Sequence, residues 1–179
     1  MTTKFGEEKD RASELIQALA EIAMPTIWIW PNIDAGSDDI SKALRRFREH
    51  HDNNWLHLVK NLEPVIFQKC LKRTACAVGN SSSFIRDSTF SGTPVVLIGD
   101  RQTGREVGPN LVACSPARSE ITDCIRKQLA HGRFPPSDLY GSGEASSQIA
   151  GILASFVPYR QKCLHYIFDS VTKLEATEQ

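Results

Sequence analysis

Apolar residues at Ala12, Leu15, Ile16, Leu19, Ile22 and Ala23 recur at intervals of three and four, predicting an amphipathic helix from Glu7 to Ala23 with acidic residues at its start. Pro25 ends it. Thr26-Ile27-Trp28-Ile29-Trp30 is β-branched and aromatic throughout, the mark of a buried strand, and Pro31 stops it. Ser37 can cap a second helix, with Asp38 and Asp39 in its first turn, Ile40, Leu44 and Phe47 inward, and Lys42, Arg45, Arg46 and Arg48 outward. Trp55 to Val59 reads as a strand, Glu63-Pro64 opens a helix through Leu71, and Ala75 to Val78 is a strand again.

The alternation continues. A helix is predicted over Phe84 to Phe90 with Gly92 in the left-handed position at its end, then a strand Val95 to Ile98, a polar loop Gly99 to Pro109 and a strand Leu111 to Cys114. A helix from Arg118 to Ala130 is closed by Gly132, and Phe134 to Gly143 is an irregular crossing loop. Ala145 to Phe156 and Tyr159 to Leu174 read as two helices broken at Pro158. Strands separated by single helices predict an α/β fold of right-handed βαβ units: a Rossmann-like parallel sheet with helices on both faces, which binds ligands beyond the C-terminal strand ends.

Composition narrows the function without naming it. Among 179 residues, Lys+Arg 21 balance Asp+Glu 21, so no basic field points to nucleic acid. A chain of this size hides roughly 70% of its unfolded surface on folding and needs neither staples nor metals for its core. The longest apolar runs are far short of the ~20 residues that span a bilayer, and the N-terminus has no secretory core, so a cytoplasmic protein with no membrane partner is expected. The 5 cysteines are odd in number and form no C-x-x-C pair, which argues against a disulfide framework and a zinc site.

Candidate chemistry gathers at strand ends. Gly79-Asn80-Ser81-Ser82-Ser83 joins a strand to a helix N-terminus, whose unpaired N–H groups, positive dipole end and small hydroxyl side chains suit a phosphate; serine capping of the helix explains the same residues. Gly99-Asp100-Arg101-Gln102-Thr103-Gly104-Arg105-Glu106 follows the next strand and offers two arginines with planar donors, or a surface salt-bridge loop. Asp87 lies about one turn into the serine-led helix, where its carboxylate can accept two bonds from a ribose diol. Capping and helix-dipole complementarity explain Asp38 and Asp39, a metal on Asp34, Asp38 and Asp39 is not expected without a second acidic cluster, and none of the five histidines has an obvious catalytic partner in sequence. No P-loop, G-x-G-x-x-G, H-E-x-x-H or G-x-S-x-G occurs.

Four segments in order, Pro31 to Ser37, Gly79 to Ser82, Gly99 to Glu106 and Tyr140-Gly141-Ser142-Gly143-Glu144-Ala145, resemble UDP-N-acetylglucosamine 2-epimerases, most closely the hydrolysing type, from about Thr2 to Ser155. The resemblance implies a two-domain GT-B-type fold that holds a UDP-sugar between two Rossmann-like halves, of which this chain matches the C-terminal one. Residues 1–156 are then the UDP-binding domain, and 157–179 a C-terminal helix with a frayed tail. The family eliminates UDP from UDP-N-acetylglucosamine, and hydrolysing members hydrate the glycal to N-acetylmannosamine. Asn32, Ser81, Ser82 and Arg101 match UDP-contacting positions, Leu62 matches a residue beside the base, and Asp87 falls where the family has glutamate. Arg105 is placed to support the phosphates.

The catalytic acids of that chemistry belong mainly to the N-terminal half, so no catalytic residue, metal or cofactor is expected here and turnover by this chain alone is not. A functional histidine that the family carries just before the pair matching Thr2 and Thr3 falls before Met1. The alignment also removes the domain's first strand, central in a 3-2-1-4-5-6 sheet, which leaves a gap between the Thr26 and Ala75 strands. The sheet then closes across that gap or is completed by another chain. Expected partners are UDP or a UDP-sugar, with an N-terminal half-enzyme chain or a homo-oligomer and no nucleic acid. The alternative is a non-catalytic interaction or regulatory domain that kept the fold and lost the ligand.

Overall fold

The computed structural model describes residues 8–31, 37–50 and 53–158. They fall into two compact units that divide between Gly141 and Ser142. The first runs α1 (Glu8–Ile22), β1 (Thr26–Ile29), α2 (Ser37–His50), β2 (Leu56–Val59), α3 (Pro64–Arg73), β3 (Ala77–Gly79), α4 (Ser82–Ser91), β4 (Val95–Ile98), β5 (Leu111–Cys114) and α5 (Arg118–His131). Punctuation residues set the boundaries. Pro64 occupies the first turn of α3, where its missing N–H costs nothing. Gly92 ends α4 at φ 63°, ψ 24°, and its N–H returns to the Ser88 and Thr89 carbonyls.

Every strand pairing is parallel, but the strands form two sheets, β1-β2 and β3-β4-β5. β4 is the middle strand of the larger sheet, and all four of its residues, Val95-Val96-Leu97-Ile98, are buried, as a strand covered on both faces requires. On one face, Leu15, Ala18 and Leu19 of α1 pack with Val96, Ile98, Ile121 and Ile125. Ile16 of the same helix joins Leu44, Phe47 and Leu56, so α1 serves both sheets. Leu71, Ala77 and Val95, with Phe67 and Phe84, form the core of the opposite face. Helices α1, α2 and α5 thus cover one side, and α3 and α4 the other.

The break between β1 and β3 falls where a central strand was expected to be missing. The reading of Thr26 to Trp30 as a buried strand is corrected in one respect: Ile27 and Ile29 are 54% and 36% exposed. They alternate with Trp28, which packs into the cores on the α1 side, and so lie on the opposite face of β1, where none of the core clusters among the described residues includes them.

A polar cluster locks β4 to its surroundings. Asn110 Nδ2 donates to Ser88 Oγ at 3.0 Å and to the Thr93 carbonyl at 2.7 Å, while Oδ1 accepts from Thr89 Oγ1 at 3.3 Å. Gln128 reaches up from α5 to donate to the Val95 and Asn110 carbonyls at 2.8 and 3.0 Å. The second unit contains α6 (Ala145–Ser155), whose Ile149, Ile152 and Leu153 are all exposed. The helix predicted over Tyr159 to Leu174 lies outside the described residues. Among the described residues no helix is long and apolar enough to cross a membrane.

Candidate functional site

The turn after β3 is tight because Gly79 sits at φ 149°, where a Cβ would come 3.1 Å from the Phe84 ring. Asn80 and Ser81 alone separate this glycine from α4. Ser81 is the N-cap: its Oγ accepts from the Ser83 N–H at 3.3 Å and its carbonyl from the Phe84 N–H at 3.1 Å. Capping is therefore the job the Ser81 hydroxyl performs in the fold. Ser81 is exposed and Ser82 half-buried at the positive end of the helix dipole, and Asp87 is half-buried farther along α4.

The loop after β4 folds back on itself. Gly99 holds φ 77° while its N–H donates to the Cys114 carbonyl at 2.9 Å, continuing the ladder by one residue. The Thr103 N–H and Oγ1 both donate to the Asp100 carbonyl, at 3.0 and 2.7 Å, and the Arg105 N–H donates to the Gln102 carbonyl at 3.3 Å. Arg101 and Arg105 are exposed on this turn. Gln102 points inward, and its Nε2 donates to the Asn80 carbonyl at 2.8 Å. That bond ties the arginine loop to the serine turn. The Tyr140 hydroxyl donates to the Glu106 carbonyl and anchors the far end of the loop.

The predicted site residues are thus only partly gathered. Ser81, Ser82 and Asp87 share α4, and the loop bearing Arg101 and Arg105 is hydrogen-bonded to the turn that precedes it. Leu62 lies on the connection after β2, with its N–H bonded to Asn61 Oδ1 at 2.9 Å, in the other sheet's half. Asn32 and Asp34 lie outside the described residues. Sequence reasoning missed Gln102 and Tyr140 as the groups that fix the loop; a neutral amide between two arginines carries no pattern that marks it for burial.

Other candidates are accounted for structurally. His131 stacks on Phe134 with ring centroids 3.8 Å apart, and His50 Nδ1 lies 2.8 Å from the Arg46 carbonyl at the end of α2. Among the described residues no group of three or more His, Cys, Asp or Glu side chains could hold a metal. A broad surface concavity between α1 and α2, lined by Ile16, Ala20, Ala43 and Phe47, contains none of the loop residues above.

The family model for UDP-N-acetylglucosamine 2-epimerase matches residues 2–154. The chain belongs to this family. A UDP-N,N'-diacetylbacillosamine 2-epimerase (hydrolyzing) from Legionella pneumophila is 27% identical over 161 residues, 88% of this chain and 42% of the relative. A UDP-N-acetylglucosamine 2-epimerase from Neisseria meningitidis is 26% identical over 144 residues, 80% of this chain and 37% of the relative. The chain therefore spans well under half the length of these epimerases. Its fold is shared with the Methanocaldococcus jannaschii UDP-GlcNAc 2-epimerase solved with UDP-GlcNAc and UDP, at a TM-score of 0.61 and 13% identity over 83% of this chain and 41% of that one. The chain is an α/β domain of the GT-B kind, with helices on both sides of parallel sheets.

Proposed function

We infer that this epimerase-family domain binds UDP or UDP-N-acetylglucosamine at the C-terminal ends of β3 and β4. Ser81, Ser82 and the N-terminus of α4 receive the diphosphate together with Arg101, and Arg105 adds charge; the Ser81 Oγ accepts from the Ser83 N–H as cap and keeps its O–H to donate. Asp87 takes the ribose hydroxyls and Leu62 lies beside the base; Asn32, which the family resemblance matches to a UDP-contacting position, lies outside the described residues. The observation that carries this reading is the bond from Gln102 to the Asn80 carbonyl, which joins the two anion-friendly loops. The Legionella relative's name, a hydrolysing 2-epimerase of UDP-N,N'-diacetylbacillosamine, supports the hydrolysing type; N-acetylmannosamine as the product beside UDP is what the family resemblance implies. Such turnover needs a general acid and base near the sugar; the resemblance assigns these mainly to the family's N-terminal half, met in the same protein, in a half-enzyme chain or in a homo-oligomer. Titration calorimetry with UDP tests the site: Arg101→Ala is expected to weaken binding roughly tenfold, the worth of one charge-assisted contact, and an unchanged isotherm refutes the assignment.

The second reading is a non-catalytic interaction domain, and the split sheet favours it. No heat with millimolar UDP would select it over the first.

A further inference from the structure

A third arginine reaches the edge where the serine turn and the arginine loop meet. Ala12, Leu15 and Ile16 of α1 are buried, which fixes the rotation of that helix. Leu15 belongs to the core that holds Val96 and Ile98 of β4, and Arg11 lies four residues earlier on the same flank. Helical side chains lean toward the helix N-terminus, so the half-buried Arg11 extends away from that core. Its position is fixed at Gly99, the residue that follows β4. A Cβ there would stand 3.9 Å from Arg11 Nη1, its nearest neighbour among the described residues apart from Ile98 and Asp100.

Gly99 opens the loop that carries Arg101 and Arg105, and Gln102 of that loop is bonded to the Asn80 carbonyl ahead of α4. A guanidinium beside Gly99 is therefore close to both anion-friendly segments. Glu14, one turn further along α1, is engaged elsewhere: its Oε2 accepts from the Arg118 N–H of α5 at 2.9 Å. On this flank of α1 it is the guanidinium that faces the loop. Arginine stays charged at any working pH and carries five N–H donors in one plane, so a bond to the protein still leaves donors for phosphate oxygens. Leu62, assigned to the base, lies on the connection after β2 in the other sheet, whereas Gly99 stands at the end of β4 among the elements assigned to the phosphates.

We propose, resting on the UDP reading of this site, that Arg11 is a further binding residue: a third guanidinium that meets the diphosphate from the α1 side while Arg101 and the N-terminus of α4 meet it from the other. An arginine on an amphipathic helix carries no motif. Only its place in the fold distinguishes it.

Calorimetric titration of the 179-residue chain with UDP tests this role. Arg11→Ala is expected to weaken binding roughly fivefold to tenfold, the worth of one charge-assisted contact. The deficit should shrink as salt rises from about 0.02 to about 0.5 M, because screening weakens a phosphate contact and leaves a packing contact alone. Arg11→Lys, which keeps the charge, should recover part of the loss, and Arg11→Gln, which does not, should recover none. Urea midpoints show whether each variant keeps the fold, and if alanine loosens it the lysine and glutamine pair carries the same comparison. A parent chain that gives no heat with millimolar UDP overturns the nucleotide reading itself, and the role of Arg11 falls with it. UDP binding that Arg101→Ala weakens and Arg11→Gln leaves unchanged overturns the role of Arg11 alone. So does a deficit of the same size at both salt concentrations, which marks a structural contact.

Discussion

The Gln102 side chain donates to the Asn80 carbonyl across 2.8 Å and so couples the loop after β4 to the turn after β3. Gln102 is 7% exposed in a loop whose neighbouring residues are in water. Its Oε1 is buried and finds no partner among the described residues. An unpaired buried amide oxygen costs about 1–3 kcal/mol. That cost is tolerated because the Nε2 bond fixes the positions of two arginines relative to the N-terminus of α4.

Replacing Gln102 by leucine separates the two effects. The variant loses the bond to Asn80 and also loses the unsatisfied oxygen, so urea unfolding should show a change within about 1 kcal/mol. UDP affinity should fall roughly tenfold, because the loop is no longer latched and must be ordered on binding. Gln102→Glu instead places a carboxylate against a carbonyl in a buried position and should cost about 2–4 kcal/mol of stability. If Gln102→Leu binds UDP as tightly as the parent, the latch has no part in ligand binding.

Asn110 is a separate, purely structural hub. It bonds Ser88, Thr89 and Thr93 through one side chain, and its own carbonyl accepts from the Val95 N–H at 2.9 Å. Asn110→Ala leaves the Thr93 carbonyl and Ser88 hydroxyl short of a partner in the interior. The expected loss is about 2–4 kcal/mol in denaturant unfolding, without a change in slope. A loss below about 0.5 kcal/mol would mean that water replaces the amide there.

The α/β alternation was legible in the sequence because each element carries its own punctuation: Pro25 and Pro64 at boundaries, Gly92 and Gly132 at helix ends, and a continuous apolar Val95 to Ile98 for the central strand. The gap beside β1 was legible too, although only through the family resemblance. The exposure of Ile27 and Ile29 was not, since local composition reports what a strand is suited to and not how many neighbours it receives. The same limit applies at the site. Ser81 and Arg101 announce themselves by residue type, whereas burial of Gln102 follows from a contact 22 residues away in sequence.

Gly92 and Gly104 offer a matched pair for backbone chemistry. Both hold positive φ, 63° and 84°, so alanine is strained at either by about 1–2 kcal/mol. At Gly104 a Cβ meets nothing within 4 Å, but at Gly92 it would stand 2.0 Å from the Phe134 carbonyl oxygen. Phe134 also donates its N–H to the Gly92 carbonyl at 2.9 Å, so the two segments cannot separate without losing that bond. Gly104→Ala should lower stability by about 1 kcal/mol, and Gly92→Ala by more than about 3 kcal/mol or enough to prevent folding. Equal thermal shifts for the two variants would show that the Phe134 segment yields easily.

Alkaline pH probes the core behind β3. Burial pushes the Cys76 thiol up from 9.0 to about 12, a bond with the Val96 backbone offsetting part of the shift. Cys114 rises to about 12 as well, by burial first and then by the proximity of Cys124 and Glu120. Below pH 9 folded and unfolded chains both keep these protons, so the thiols add no pH dependence. Between 9 and 12 the unfolded chain ionises while the folded one does not, and stability falls as pH rises. Cys76 should contribute about 1 kcal/mol per pH unit in that window, with a smaller share from the less buried Cys114. Cys76→Val removes the ionisation while keeping an apolar side chain, so its stability should decline more gently than the parent's from pH 9 to 11 in urea titrations. Parallel declines would place the Cys76 thiol in contact with water, and iodoacetamide would then label it in the folded chain at pH 8, where the buried thiol is expected to stay unmodified.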